Sequence, residues 1–288
     1  MKTMLVLSMG ALLLAGTLSA QTPVPEWQAG VDKVKTLIQS NPAQASEEAG
    51  ELLKGKNKKN VDLVTSVAHV YLDAGKITEA QEYLAMAKKA NNKDPKVSVV
   101  EGDIALAQKN IGQACQLYEQ AIYFDPNCKE AYLKYAQAYK SASPTQAIEK
   151  LEQLKAVDPN CLEADRELAE VYYSGNRFGK AAEMYAKFID TPLATEDDML
   201  KYAFALFLNH DFEKSLQVAQ KGLQKNARHA AFNRLVMYNN TDLKRYEDAE
   251  KAADAFFNAS DRADYSYLDY RYYGALLSAL NKYDKAII

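Results

Sequence analysis

The sequence predicts an all-α protein built from repeated helix pairs, and three observations support this prediction. The 288-residue chain has only 12 Gly and 8 Pro, so the residues that most often interrupt helices are scarce. Apolar residues recur at steps of three and four along most of the chain, which is the spacing of an amphipathic helix. A short residue pattern also recurs about every 34 residues, a period typical of solenoids made of small helical units.

Small residues at one position of each unit mark this period. They are Ala80, Ala114, Ala147, Ala181, Ser215, Ala249 and Ala286, and by subtraction they are 34, 33, 34, 34, 34 and 37 residues apart. Three residues before them stand Ile77, Ile111, Pro144, Phe178, Phe212, Tyr246 and Tyr283, and six of these seven are large and apolar. A regularity of this kind indicates repeats that share one structure.

Each unit has the pattern of two helices with a turn between them and a breaker at the end. In one unit, Gly102 lies in the first half, Ala114 and Tyr118 lie in the second, and Pro126 closes it. Small residues at a helix crossing let two helices approach closely, and Gly102 and Gly274 are expected to do so in their first helices. Gly75 and Gly175 stand where the turn between the helices is expected.

These residues resemble the tetratricopeptide repeat (TPR), whose pattern is Trp-x2-Leu-Gly-x2-Tyr, then Ala-x3-Phe, then a terminal Pro. The resemblance implies an all-α, TPR-like right-handed superhelical solenoid of helix-turn-helix repeats. It covers residues 61–288 as an array of about seven units, the last one truncated. Residues 21–60 are expected to form a divergent N-terminal repeat or cap, because Trp27 to Asn60 also has two amphipathic segments.

The pattern weakens at a few places. Ser215 replaces the central Ala, Ala227 stands where Pro is usual, and the 37-residue step indicates an insertion near Ser260 to Asp264. The sequence stops two residues after Ala286, which would leave an apolar edge, so we expect it to be part of a longer protein.

Residues 1–20 have the composition of a secretory signal peptide. Lys2 is followed by an apolar run from Met4 to Gly16 and then by the small residues Ser19 and Ala20. A run of about thirteen apolar residues is short for a membrane-spanning helix, so a permanent anchor is the less favoured alternative. We expect an exported bacterial protein that is periplasmic or associated with the outer membrane.

Composition and motifs argue against several kinds of chemistry. A net charge of −3 gives no overall basic excess for binding nucleic acid. There is no Gly-x-Ser-x-Gly, Walker loop or His-Glu-x-x-His motif, so neither an enzyme nor a cofactor is expected. The three His show no metal-ligand spacing with one another or with the cysteines, so no metal site is expected. Cys115, Cys128 and Cys161 are expected to be free, partly buried thiols, and Asp197 and Asp198 to be solvated groups at a helix start.

The family resemblance places a partner-binding groove on the concave face, which the first helix of each unit lines. Aromatic residues and Arg are enriched at interface hot spots, so the second half of that face is the candidate site. Its residues are Arg166, Glu170, Tyr173, Phe204, Phe207, Arg234, Tyr238 and Arg271. The alternative is that these aromatics are core residues, as is favoured for Tyr270 and Tyr273. The family's Lys and Asn clamp for a C-terminal carboxylate has no counterpart here.

The sequence therefore predicts a protein–protein interaction scaffold that holds a protein or peptide partner. Two alternatives remain. One is a solute- or glycan-binding accessory module, and the other is the repeat domain of a larger enzyme or sensor.

Overall fold

The computed structural model describes residues 24–260 and 264–286 of the chain. Within these ranges there are sixteen α-helices and no strand, and the segment Gly55–Lys59 forms a 3-10 helix. The α-helices are α1 (Gln28–Ser40), α2 (Pro42–Leu52), α3 (Val61–Asp73), α4 (Ile77–Asn91), α5 (Pro95–Ala107), α6 (Ile111–Phe124), α7 (Lys129–Tyr139), α8 (Pro144–Val157), α9 (Leu162–Ser174), α10 (Phe178–Phe188), α11 (Glu196–Leu208), α12 (Phe212–Lys225), α13 (Ala230–Asp242), α14 (Tyr246–Ala259), α15 (Tyr267–Ala279) and α16 (Tyr283–Ala286). The predicted signal peptide and the last two residues lie outside the described ranges.

The helices pack in adjacent pairs, from α1 with α2 to α15 with α16. We call the odd-numbered helices the first helices and the even-numbered ones the second helices. From α4 onward, every second helix begins at the residue that lies three positions before a small marker residue: Ile77, Ile111, Pro144, Phe178, Phe212, Tyr246 and Tyr283. The predicted all-α solenoid of helix pairs is therefore confirmed.

The packing between pairs shows which way the array curves. Most consecutive first helices contact each other, whereas consecutive second helices make at most marginal contact within the described residues. The first helices are therefore closer together and line the inner face of the curve. Contact between α9 and α11 is also sparse, and the segment between α10 and α11, residues 189–195, is long for a connection in this array.

Small residues set the distance between helices at some crossings. A Cβ placed on Gly102 would lie 2.5 Å from the ring of Tyr118, and one on Gly222 would lie 2.4 Å from the ring of Phe232. Any side chain at these positions would collide with an aromatic core residue. Gly274 was expected to act similarly, but no described atom outside its own helix backbone lies within 4 Å of such a Cβ.

The turns inside the helix pairs repeat as well. A residue with left-handed backbone occurs in six of them: Gly75, Lys109, Asn176, His210, Lys244 and Asn281. Gly75 and Gly175 both lie in such turns, as predicted. Gly75 has φ of 74°, as suits a glycine, whereas in the turn between α9 and α10 the left-handed residue is Asn176, next to Gly175. Pro126 and Pro159 each follow the end of a second helix, as predicted.

Candidate functional site

Ion pairs cross the inner face from one first helix to the next. Six of them join residues 31 to 35 positions apart: Asp62–Lys96, Asp103–Lys134, Lys129–Glu163, Arg166–Asp198, Glu170–Lys201 and Arg234–Asp269. Their closest N–O distances lie between 2.6 and 3.0 Å. Three charged residues that were predicted to bind a partner, Arg166, Glu170 and Arg234, therefore form ion pairs within the array.

Arg166, one of the predicted groove residues, joins α9 to α11. Its Nε and Nη2 lie 3.0 and 2.9 Å from the two carboxylate oxygens of Asp198, which is only 1% exposed. Asp198 also accepts hydrogen bonds from the backbone N–H and the hydroxyl of Thr195, which caps α11. The expectation that Asp198 is solvated is wrong, because its carboxylate is buried among these three donors.

Arg234 makes the corresponding contact between α13 and α15. Its Nε lies 2.8 Å from Asp269, a fully buried carboxylate that also accepts from the backbone and hydroxyl of Ser266. The hydroxyl of Tyr238 donates to Asp269 at 2.6 Å. The guanidinium of Arg234 lies 4.7 Å from the ring centre of Phe256, so its planar face is covered too.

Glu170 belongs to an arrangement that occurs twice. It accepts from the hydroxyl of Tyr185 on the second helix of its own pair (2.8 Å) and pairs with Lys201 on the next first helix (3.0 Å). Asp103 does the same with Tyr118 (2.7 Å) and Lys134 (2.9 Å). Burial and the adjacent carboxylate raise the pKa of both tyrosines far above the usual value, so each hydroxyl stays protonated and donates.

Two of the predicted groove aromatics are core residues. Phe207 is 7% exposed and Tyr238 is 1% exposed. Phe207 packs against Phe212, Tyr238 and Tyr272, with ring centres 5.6 to 6.1 Å apart. A buried ring offers no surface to a partner, so the prediction that these two residues bind one is wrong, and the stated alternative of a core role holds for both.

The other predicted aromatics remain accessible on the inner face. Tyr173 on α9 and Phe204 on α11 are half-buried, as is Leu200 one turn before Phe204. We call these three residues the apolar strip. Arg271 on α15 is exposed, and its guanidinium lies 5.7 Å from the ring centre of Tyr272.

The tyrosines of α15 divide between surface and core. Tyr273 is half-buried and packs on Phe257 at 4.8 Å, in keeping with the core role favoured for it. Tyr270 is 44% exposed, so the expectation of a core role for it is wrong. Its ring nevertheless packs edge-on against that of Tyr265, with the ring centres 6.0 Å apart.

A polar pocket lies at the other end of the inner face, where α3, α5 and α7 meet. It has a volume of about 270 Å³ and is lined by Trp27, Asp62, His69, Lys96 and Glu130, among others. Near this pocket, three side chains that can bind a metal ion lie close together. They belong to His69, Asp103 and Glu130, and their ligand atoms all lie within 4.8 Å of one another. Sequence reasoning missed this cluster because it looked for ligands at short spacings, whereas His69 and Asp103 are one repeat apart.

The cysteines offer no reactive thiol. None of the three forms a disulfide, and Cys115 and Cys161 are buried. Burial raises the pKa of Cys115 to about 11 and raises the pKa of Cys128 and Cys161 as well. All three are therefore thiols at neutral pH, and a thiol is a weak nucleophile.

Among the described residues, no helix combines the length and the apolar character needed to cross a bilayer. A comparison with curated proteins finds no significant match.

The fold has relatives among solved structures. The C-terminal part of a TPR repeat-containing protein from Cytophaga hutchinsonii has a TM-score of 0.61 at 17% identity, covering 81% of this chain and 97% of its own. Pseudomonas aeruginosa pilF has a TM-score of 0.58 at 15% identity, covering 77% and 99%. PilW, titled a widely conserved type IV pilus biogenesis factor, has 0.55 at 16%, covering 71% and 95%. At these identities the likeness concerns the fold alone.

Residues 68–127 and 137–193 match the tetratricopeptide repeat family. Helix pairs of the same kind continue on both sides of the matched segments. The two matched segments are therefore tetratricopeptide repeats, and the chain as a whole has the helix-pair fold of the solved structures named above.

Proposed function

We propose that the protein is a non-catalytic interaction scaffold of the bacterial cell envelope, which holds an extended segment of a partner protein on its inner face. The observation that carries this proposal is the apolar strip of Tyr173, Leu200 and Phe204. These side chains are accessible in the middle of a face whose charges largely pair with one another. Half-buried aromatics on a rigid helical surface are suited to anchor a partner side chain.

Charged groups beside the strip give it polarity. Arg166 and Glu170, on the same helix as Tyr173, remain partly accessible although they are paired. Arg271 is exposed further along the inner face, on α15. A bound segment can therefore make hydrogen bonds at the rim of the strip while an apolar residue covers Phe204. This division into an apolar centre and a polar rim is usual for protein interfaces.

The pocket on the inner face adds a second place where a bound segment can be held. It has a volume of about 270 Å³ and a polar lining that includes Asp62, His69 and Lys96. It can take one or two side chains of a longer segment.

Export is part of the proposal and rests on residues 1–20, with their charged start, apolar run and small residues before Gln21. It is tested by fractionating the native cells and sequencing the N-terminus of the mature protein. A mature chain that begins at Gln21 in the periplasmic or membrane fraction supports export. An uncleaved cytoplasmic chain overturns it.

The binding proposal is tested by crosslinked affinity purification from the native cells. The wild-type chain is compared with Tyr173→Ala/Phe204→Ala, and Tyr123→Ala serves as a matched control because Tyr123 is 82% exposed on the second helix α6. Circular dichroism must first show that all variants are folded. A partner lost only by the inner-face variant supports the proposal, and equal capture by all three proteins moves the site elsewhere.

A further inference from the structure

We propose that His69, Asp103 and Glu130 form a binding site for a divalent transition-metal ion such as Zn²⁺, and that Lys134 competes with the ion for this site. The three residues lie on α3, α5 and α7, so the ion would connect three successive repeats on the inner face. An imidazole nitrogen with carboxylate oxygens is a donor set that Zn²⁺ accepts, and catalytic zinc sites also have three protein ligands.

Two of the proposed ligands already lie at a suitable distance from each other. Nδ1 of His69 lies 3.4 Å from Oδ2 of Asp103. In a tetrahedral site with metal–ligand bonds of about 2.0–2.2 Å, neighbouring ligand atoms lie about 3.3–3.6 Å apart. The His69 and Asp103 atoms thus already have the separation of two ligands of one ion, and Glu130 is within reach of both.

A hydrogen bond fixes the orientation of Asp103. Its Oδ1 accepts a hydrogen bond of 2.7 Å from the hydroxyl of Tyr118, which is fully buried. This contact fixes the carboxylate and leaves Oδ2 directed toward His69. A hydrogen bond of this kind to a ligating carboxylate is a usual feature of metal sites, because it orients the ligand.

The cluster of His69, Asp103 and Glu130 already holds a cation. Nζ of Lys134 lies 2.9 Å from Oδ2 of Asp103 and 3.7 Å from Oε1 of Glu130. The ammonium therefore occupies the place that a metal ion would take between the two carboxylates. Lys134 sits on a flexible stem and can move its charge into water, whereas a divalent ion brings twice the charge and binds His69 as well.

The cluster also has a route to solvent. His69 and Glu130 line the pocket of about 270 Å³, so an ion can enter from the inner face and a water molecule can complete its coordination. The other charged residues of this pocket, Asp62 and Lys96, pair with each other at 2.6 Å and leave the charge of the cluster unchanged.

The test is isothermal titration of the untagged, purified full chain with Zn²⁺, comparing the wild type with three variants. We expect one equivalent to bind, His69→Ala to weaken binding at least about tenfold, and Lys134→Met to tighten it, because the competing charge is gone. His210→Asn is the matched control, since Asn tolerates the left-handed backbone of His210, and it is expected to leave binding unchanged.

Unchanged binding by His69→Ala overturns the proposal, because the ion is then held elsewhere. So does the absence of saturable binding by Lys134→Met, the variant most favourable to it. Binding by Lys134→Met without binding by the wild type also overturns it for the natural protein, because Lys134 then retains the site.

Discussion

Two ion pairs on the inner face join residues that are nearly the same number of positions apart in the sequence, but one pair is exposed and the other has a buried carboxylate. Asp62 and Lys96 join α3 to α5 across 34 residues, and their side chains are 52% and 50% exposed. Arg234 and Asp269 join α13 to α15 across 35 residues, and there the carboxylate is fully buried. In each case an acid and a base are about one repeat apart and meet on adjacent first helices.

The difference shows that the spacing in the sequence determines which residues form a pair. Burial determines how much the pair contributes to the free energy of unfolding. An exposed ion pair contributes about 0–1 kcal/mol, because water and salt screen it. A buried carboxylate needs a partner for each oxygen, and the loss of one side of such a pair costs about 3–5 kcal/mol. Asp269 has several donors, from Arg234, Tyr238 and Ser266, whereas Asp62 has Lys96.

The largest effect is expected for Asp269→Ala. This change leaves Arg234 and the hydroxyl of Tyr238 without their acceptor and removes the capping box of α15, so we expect a loss of about 4 kcal/mol in the free energy of unfolding. Urea unfolding followed by circular dichroism measures it. Because repeats are stabilised mainly by their neighbours, hydrogen exchange should rise first in α15.

Asp62→Ala is the matched control for Asp269→Ala, since it also removes one acid from an inter-repeat pair. We expect it to change the free energy of unfolding by less than about 1 kcal/mol. If both changes lowered the free energy of unfolding equally, burial would not determine how much these ion pairs contribute to stability.

Asp198→Ala is expected to cost about 3 kcal/mol, somewhat less than Asp269→Ala. Asp198 is buried and capped by Thr195 in the same way, but its cation Arg166 is more exposed than Arg234 and can turn to water. Asp198 also accepts no tyrosine hydroxyl. The same urea titration measures this difference. A larger loss in the free energy of unfolding than for Asp269→Ala would show that the number of donors to a buried carboxylate does not determine how much it stabilises the protein.

The period predicted a pair of helices in each unit, and every second helix from α4 onward begins three residues before one of its small marker residues. The depth of individual side chains could not be predicted in the same way. Phe204 and Phe207 were assigned to one face, yet three residues turn the helix by about 300°, which is enough to bury Phe207 while Phe204 stays accessible.

The buried acids could have been found with a sharper pattern. Thr195-x-x-Asp198 and Ser266-x-x-Asp269 both fit a capping box, and each acid lies about one repeat after an Arg. The adjacent Asp197 has no Ser or Thr three residues before it, and its side chain is mostly exposed. A search that combined both features would have separated Asp198 from Asp197, and it would have assigned Arg166 and Arg234 to the array before assigning them to a partner.

Tyr185→Phe tests a carboxylate of intermediate burial. Glu170 is partly exposed and keeps its ion pair with Lys201 when the tyrosine hydroxyl is lost. We expect a loss of about 1.5 kcal/mol, the lower end for a hydrogen bond to a charged group. Tyr118→Phe removes the equivalent bond to Asp103 and should cost a similar amount. Chemical denaturation of both variants checks this, and a loss below about 0.5 kcal/mol in both would mean that water replaces the hydroxyl.

The smallest effect is expected for Lys129→Ala, which removes the exposed pair with Glu163. The hydrogen bond from Lys129 lowers the pKa of Glu163, so the folded state favours the charged carboxylate. This stabilisation is present above the unfolded pKa of about 4.3 and is lost as the pH falls through the lower folded value. We expect a difference of about 0.5 kcal/mol from the wild type at pH 7 that disappears at acidic pH and in high salt. Unfolding curves at both pH values test this, and a large difference that persists at low pH would mean that the stem of Lys129 acts through packing and not through its charge.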